Sequence, residues 1–143
     1  MFKALHPEDY MTKQPVTFKP DTDLFDAIHI ILEKHISGAT VVNDANEVVG
    51  VISEVDCLKA ILDGSYYGNV GGHVSDFMTT DFQSIEDHMD VMDVAKMLID
   101  NRRRRIPVVK NGKFVGQFSC RSVLQALKDV SVAHDKKEDF CGE

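Results

Sequence analysis

The sequence contains the same pattern of residues twice, which limits the chain to folds built from two similar halves. The segment Asp9–Thr12 (Asp-Tyr-Met-Thr) returns 67 positions later as Asp76–Thr79 (Asp-Phe-Met-Thr). Two apolar sets keep this offset, and each has the spacing of an amphipathic helix with one buried stripe. They are Leu24, Ala27, Ile28, Ile31 and Leu32, and Val91, Val94, Ala95, Leu98 and Ile99. One such unit cannot cover both faces of a small sheet, so we expect the two to pack as one domain.

The offset shortens to 66 after the middle of each half, where Gly50 matches Gly116 and Ser53 matches Ser119. The change falls in a hairpin turn. Residues 43–46 (Asn-Asp-Ala-Asn) are replaced by the shorter 110–112 (Lys-Asn-Gly). Because Asn-Gly favours a two-residue type I′ turn, the second hairpin is predicted to be tighter than the first.

Each half is therefore predicted to be a β-α-β-β-α unit. The first strands are predicted at Val16–Phe18 and Phe82–Ser84, and the first helices at Asp23–His35 and Asp90–Arg102. The hairpins are predicted at Ala39–Asp44 with Val48–Ile52 and at Ile106–Lys110 with Lys113–Phe118, and the second helices at Glu54–Leu62 and Arg121–Val130. We predict an α/β (α+β) fold of tandem repeats at 7–64 and 74–131 with pseudo-two-fold symmetry. A glycine-containing linker at 65–73 and a disordered tail at 132–143 complete the prediction.

The composition excludes several classes of function. Lys and Arg number 16 against 23 Asp and Glu, and the net charge of −7 disfavours binding to nucleic acid or an anionic membrane. No apolar run reaches membrane-spanning length, and the N-terminus has no apolar signal region. Three scattered cysteines, Cys57, Cys120 and Cys141, lack metal-type spacing, as do the histidines. We therefore expect a cytoplasmic protein with reduced thiols and without a metal site.

The segment Val48–Leu58 predicts an apolar strand that passes Gly50 and turns into a helix near Glu54. Ser53 is placed to cap that helix, and Asp56 adds a carboxylate at its positive end. One interpretation is a binding site for a ligand with sugar hydroxyls and phosphate. The other is a plain capping box, although the usual third residue is Glu or Gln. The residues alone leave both interpretations open.

These features together resemble a CBS domain pair, or Bateman module, over about Pro7 to Val130. They are the tandem β-α-β-β-α unit, Asp-x-Met-Thr, Gly-h-h-Ser-x-x-Asp (h, apolar) and Ile106–Val109 (Ile-Pro-Val-Val). The resemblance implies a regulatory, non-catalytic module that binds AMP, ADP, ATP or S-adenosylmethionine in clefts between its repeats. It also implies a homodimer and an unknown regulated protein, and we expect a stand-alone module. The alternatives are a ligand-free interaction or dimerisation module whose Ser-x-x-Asp only caps a helix, and a small nucleotide-converting enzyme.

The resemblance also implies roles for particular residues. Asp56 is expected to accept the ribose hydroxyls and Ser53 to meet ribose or phosphate, whereas Ser122 replaces the aspartate in the second repeat. The adenine is expected against 36–38 or 103–105. One expected cleft joins Thr22, Ala27, Ile36, Ser37 and Gly38 to Ser119 and Ser122. The other joins Val51, Ser53 and Asp56 to Met89, Val94, Arg103, Arg104 and Arg105.

Two surface features have competing interpretations. The run 102–105 is four arginines, which suit a solvated helix end, although Arg104 and Arg105 are the better candidates for phosphate contact. The second helix of each half carries an apolar stripe that is expected to face outward and to form a homodimer interface. Its members are Leu58, Ile61, Leu62, Val123, Leu124 and Leu127.

Overall fold

A computed structural model describes residues 7–68 and 71–129. It contains two three-stranded sheets, ordered β1-β2-β3 and β4-β5-β6, and so confirms the predicted fold class of tandem repeats. A short 3-10 turn lies at Pro7–Asp9. The strands are β1 (Thr17–Phe18), β2 (Gly38–Val42), β3 (Val48–Ser53), β4 (Ile85–Glu86), β5 (Arg105–Lys110) and β6 (Lys113–Ser119). The helices are α1 (Leu24–Glu33), α2 (Glu54–Tyr67), α3 (Val74–Phe77) and α4 (Val91–Asp100), with α5 over 120–129.

In the first sheet, β1 pairs with β2 in parallel and β2 pairs with β3 in antiparallel register. Helix α1 is capped by Asp23, whose carboxylate accepts the amides of Phe25 and Asp26. One face of this sheet packs against α1 and α2. The core is apolar and includes Phe18, Leu24, Ala27, Ile31, Ala39, Val41, Ile52, Cys57, Ala60 and Val74.

The second sheet repeats this arrangement. Strand β4 pairs with β5 in parallel, with Ile85 opposite Val108. Asp90 caps α4 by accepting the Met92 amide. In the turn between β5 and β6, Asn111 and Gly112 both have positive φ values, 53° and 79°, as the predicted type I′ turn requires.

The chain packs into two compact units that differ from the sequence repeats. One unit is Pro15–Gln83 with Asn111–Phe114, and the other comprises the described parts of Met1–Gln14, Ser84–Lys110 and Val115–Glu143. In the first of these, the Thr79 amide donates to the Val51 carbonyl at 2.7 Å, and the Val51 amide donates back at 3.0 Å. In the other, Thr12 and Gln117 exchange the same pair of bonds at 2.8 and 3.0 Å. Each Asp-x-Met-Thr segment therefore packs on the sheet of the opposite sequence repeat.

The packing of the Met-Thr segments against β3 and β6 explains why both repeats have a glycine at the matching positions 50 and 116. A Cβ atom at Gly50 would lie 2.6 Å from Met78 Sδ and 3.0 Å from the Thr79 carbonyl oxygen. A Cβ atom at Gly116 would lie 2.6 Å from the Thr12 carbonyl oxygen. Both contacts are too short for any side chain, so glycine is required where the Met-Thr segment lies against the strand.

Two predicted boundaries are wrong by three residues or more. The strand predicted at Phe82–Ser84 lies at Ile85–Glu86, because Ile85 is the fully buried residue that fills the core. Helix α2, predicted to end at Leu62, continues through Gly64 to Tyr67 and into the predicted linker. It ends at Gly68, which has a φ of 73°, and the amide of Gly68 satisfies the carbonyls of Gly64 and Ser65.

Helix α3 was not predicted, and it lies at the start of the second sequence repeat. The expected outward stripe is also wrong at Val123, which is 4% exposed and belongs to a core. Leu127 is partly buried against the same core, and Ile61 is half-buried. Leu58, Leu62 and Leu124 do face outward, with exposures of 66, 71 and 67%. The end of the helix predicted to reach Val130, and the tail, lie outside the described residues.

We predict that Gly50→Ala destabilises the protein by about 1–3 kcal/mol, because the added methyl group overlaps Met78 and the Thr79 carbonyl. Chemical denaturation measures the change. In a double-mutant cycle with Met78→Ala, the two substitutions should couple, since Met78 supplies the shortest contact. Unchanged stability of Gly50→Ala contradicts this explanation of the glycine.

Candidate functional site

The junction of β3 and α2 forms a complete capping box. Ser53 Oγ accepts the Asp56 amide at 3.2 Å, and Asp56 Oδ2 accepts the Ser53 amide at 2.9 Å. Asp56 Oδ2 also lies 3.1 Å from Ser53 Oγ. The carboxylate is thus held at the positive end of a 14-residue helix, which favours its charge. The capping interpretation of Ser-x-x-Asp is therefore confirmed, and it leaves the second carboxylate oxygen outside the box.

Among the described residues, the second oxygen has one hydrogen-bond contact, with Thr79, which was not predicted as a site residue. Thr79 Oγ1 lies 3.4 Å from Asp56 Oδ1 and 3.4 Å from Oδ2. Thr79 reaches this place because its backbone pairs with Val51 on β3. The recurrence of threonine at the end of both Asp-x-Met-Thr segments was a signal for this residue, but the sequence does not show which strand the segment joins.

The corresponding junction of β6 and α5 is neutral. Ser122 Oγ accepts the Ser119 amide at 2.8 Å and donates to the Ser119 carbonyl at 3.0 Å. Ser119 Oγ accepts the Ser122 amide at 3.0 Å. Serine thus reproduces the cap without a carboxylate, and its one proton is already used. The two junctions therefore have different binding chemistry, as the sequence predicts.

One of the two segments expected to meet the adenine, 36–38, lies beside the charged junction. Gly38 pairs with Ser53 in the β2–β3 register, and the Ser37 carbonyl accepts the Glu54 amide at 2.9 Å. Ile36 and Ser37 are half-buried. A Cβ atom at Gly38 would collide with the Ile52 carbonyl oxygen, so strand packing alone requires this glycine. The structure thus brings 36–38 together with Ser53 and Asp56 in one compact unit.

Two further expected residues belong to the same unit. Thr22 is half-buried, accepts the Lys19 amide on its Oγ1 at 3.1 Å, and accepts the Val74 amide on its carbonyl at 2.8 Å. Val51 is half-buried and lies between Thr40 and Thr79 in the sheet. The Thr40 side chain is completely buried, and its Oγ1 has no hydrogen-bond partner among the residues described.

The arginines precede the neutral junction in the other unit. Arg104 is exposed, and its carbonyl accepts the Cys120 amide at 2.9 Å. Arg105 is half-buried at the first position of β5. Ala27 and Val94 are fully buried core residues, and Met89 is half-buried. The predicted joining of residues from the two repeats into clefts stays a prediction.

Two other groups of reactive side chains lie among the described residues. Burial, followed by the nearby Asp56 and Glu54 carboxylates, raises the pKa of the Cys57 thiol above its usual range, so the neutral form is favoured. Glu86, Asp87 and His88 place ligand-type atoms within 4.8 Å of one another, but Lys110 Nζ lies 3.9 Å from Asp87 and competes for it. None of the helices in the part of the chain that the structure covers has the length and hydropathy of a membrane span.

Comparison with known proteins gives consistent matches. The family model "CBS domain" matches residues 8–63 and 74–129. An uncharacterized protein of Methanocaldococcus jannaschii is 31% identical over 119 residues, which are 83% of this chain and 41% of that protein. An uncharacterized 17.7 kDa protein of Acidianus ambivalens is 29% identical over 120 residues, which are 83% of this chain and 71% of that protein. The chain thus spans less than half of the first relative.

Solved structures match over nearly the whole chain. The structure of CBSX2 in complex with AMP has a TM-score of 0.80 and 29% identity, and covers 90% of this chain and 99% of that one. A second structure of CBSX2, from Arabidopsis thaliana, has a TM-score of 0.74 and 30% identity, and covers 86% of this chain and 94% of the other.

Proposed function

This chain belongs to the CBS domain family, and we propose that it is a regulatory, non-catalytic module that binds an adenosine-type ligand. The candidates are AMP, ADP, ATP and S-adenosylmethionine. CBSX2, at 29% identity over 90% of this chain, was solved with AMP, which supports an adenine nucleotide. We place the ribose of that ligand at Asp56.

The observation that carries the proposal is that the two oxygens of the Asp56 carboxylate have different hydrogen-bond partners. Oδ2 takes two short contacts with Ser53, at 2.9 and 3.1 Å, whereas Oδ1 is contacted among the described residues by Thr79 alone, at 3.4 Å. An ionised carboxylate accepts several hydrogen bonds, so Oδ1 can accept a sugar hydroxyl while the cap stays intact. Asp56 is half-buried, which strengthens such a bond relative to one in water.

The competing function is a ligand-free module for protein interaction or dimerisation. The complete capping box favours it, because the box alone gives Ser53 and Asp56 a structural role. A thermal-shift panel of adenine nucleotides separates the two functions. A ligand at 100 times its dissociation constant adds about 2.7 kcal/mol of stability. Absence of a shift with every adenosine compound would support the competing function.

We predict that Asp56→Ala weakens binding of AMP about 10- to 100-fold, since a hydrogen bond to a charged group contributes about 1.5–3 kcal/mol. Ser122→Ala, which removes a neutral hydroxyl, should change the affinity less. Calorimetry measures both variants. The melting temperature of each without ligand serves as the control, because both substitutions remove a bond of a helix cap. Equal affinities of wild type and Asp56→Ala contradict the role of Asp56.

The resemblance implies two separate clefts, and we further propose ligand contacts for each: Arg104 and Arg105 with ligand phosphate in the cleft of Asp56, and Ile36, Ser37 and Gly38 with the base in the cleft of Ser119 and Ser122. Guanidinium groups bind phosphate bidentately, and the positive charge stands out in a chain of net charge −7. Val51 and Ser53 complete the proposed contacts of the Asp56 cleft, and Thr22 completes those of the Ser119 and Ser122 cleft. The arginines should raise the affinity for ligands with more phosphate groups more than they raise the affinity for S-adenosylmethionine.

We propose a homodimer in the cytoplasm that regulates another protein. Leu58 on α2 and Leu124 on α5 occupy matching places in the two repeats and are 66 and 67% exposed, which is costly for large apolar side chains. The described cysteines, Cys57 and Cys120, are free thiols, in keeping with a reducing compartment.

Light scattering should give twice the monomer mass at micromolar concentration. The Leu58→Glu/Leu124→Glu variant should give the monomer mass, because it puts charge into the interface. Leu32→Glu, at an exposed leucine of α1, is the matched control and should stay dimeric. A monomeric wild type contradicts the proposal.

A further inference from the structure

We propose that Thr79 determines ligand specificity at Asp56, because its hydroxyl binds one hydroxyl of a vicinal sugar diol while Asp56 Oδ1 binds the other. This inference rests on the proposed adenosine-type function and names the residue that recognises the ribose. Thr79 lies in the same compact unit as Asp56.

The position of the Thr79 side chain is fixed before any ligand binds. Its amide and carbonyl are hydrogen-bonded to Val51 at 2.7 and 3.0 Å, and Met78 beside it packs against the core through the space left by Gly50. A threonine side chain has few χ1 rotamers, and this one is half-buried. The hydroxyl is therefore held at 3.4 Å from both oxygens of Asp56.

The hydrogen-bonding capacity of the pair fits two neighbouring hydroxyl groups. A threonine hydroxyl that donates its proton to a carboxylate keeps its lone pairs to accept a further proton. Asp56 Oδ2 is already engaged by the Ser53 amide and hydroxyl, so Oδ1 is the acceptor left for a ligand. Thr79 Oγ1 and Asp56 Oδ1 thus form adjacent acceptors for the two protons of a cis-diol.

The other unit lacks this pair although its backbone is the same. Thr12 exchanges two backbone hydrogen bonds with Gln117, as Thr79 does with Val51. The residue that matches Asp56 in this unit is Ser122, whose proton goes to the Ser119 carbonyl. Within the described residues, no hydrogen bond joins the Thr12 hydroxyl to Ser122. Thr12 is therefore a matched control for Thr79.

The experiment compares Thr79→Val, Thr79→Ser and Thr12→Val with wild type by calorimetry, using adenosine and 2′,3′-dideoxyadenosine. Valine keeps the shape and the backbone pairing of threonine but removes the hydroxyl. Thr79→Val should weaken adenosine binding about three- to tenfold, the worth of one neutral hydrogen bond. Its affinity for dideoxyadenosine, which has neither hydroxyl, should equal that of wild type. Thr79→Ser, which keeps the hydroxyl, should bind adenosine with nearly the wild-type affinity. Thr12→Val should leave the affinities for both ligands unchanged.

Three results discriminate among the possibilities. Unchanged adenosine affinity in Thr79→Val overturns the inference. An equal loss for adenosine and dideoxyadenosine also overturns it, because Thr79 would then only support the fold around Asp56. A wild-type protein that binds no adenosine compound refutes the proposed function itself, which is a separate outcome from either failure of Thr79.

Discussion

The pairing of Val51 with Thr79 is the contact on which the account of this molecule depends. Two backbone hydrogen bonds, at 2.7 and 3.0 Å, attach the Met-Thr segment to the free edge of β3. They bury Met78 against the core, require glycine at position 50, and bring the Thr79 hydroxyl to Asp56. Thr12 and Gln117 form the same pairing in the other unit, so one contact explains both the motif shared by the repeats and the folding of their sheets.

The Ser-x-x-Asp motif caps helix α2, and this role is compatible with the proposed binding of a ligand. The capping box uses one carboxylate oxygen of Asp56 and the hydroxyl of Ser53, and it would stabilise α2 without any ligand. Serine at position 122 builds an equivalent cap with neutral groups alone. A cap therefore does not need an aspartate. The carboxylate at one junction is the feature that a helix cap leaves unexplained, and the proposed binding of a sugar diol would explain it.

Local patterns in the sequence predicted the parts of the fold that local forces determine. The starts of α1 and α4, next to Asp23 and Asp90, and the Asn111-Gly112 turn depend on residues a few positions away, and the predicted helix starts and turn agree with the structure. The position of β4 depends instead on which residue packs into a core whose other members are distant in sequence. The strand at Ile85 was therefore missed. Val123 was misplaced because its periodicity does not reveal which face of α5 is covered. The contact between Thr79 and Asp56 spans 23 residues and depends on strand pairing that no local pattern shows.

The most direct test of the central claim is a crystal structure of the protein with AMP. We expect the ribose hydroxyls to lie within hydrogen-bond distance of Asp56 Oδ1 and Thr79 Oγ1, with the contact between Ser53 and Asp56 Oδ2 retained. A ribose bound at Ser119 and Ser122 instead, with Asp56 engaged only in its capping box, would contradict it.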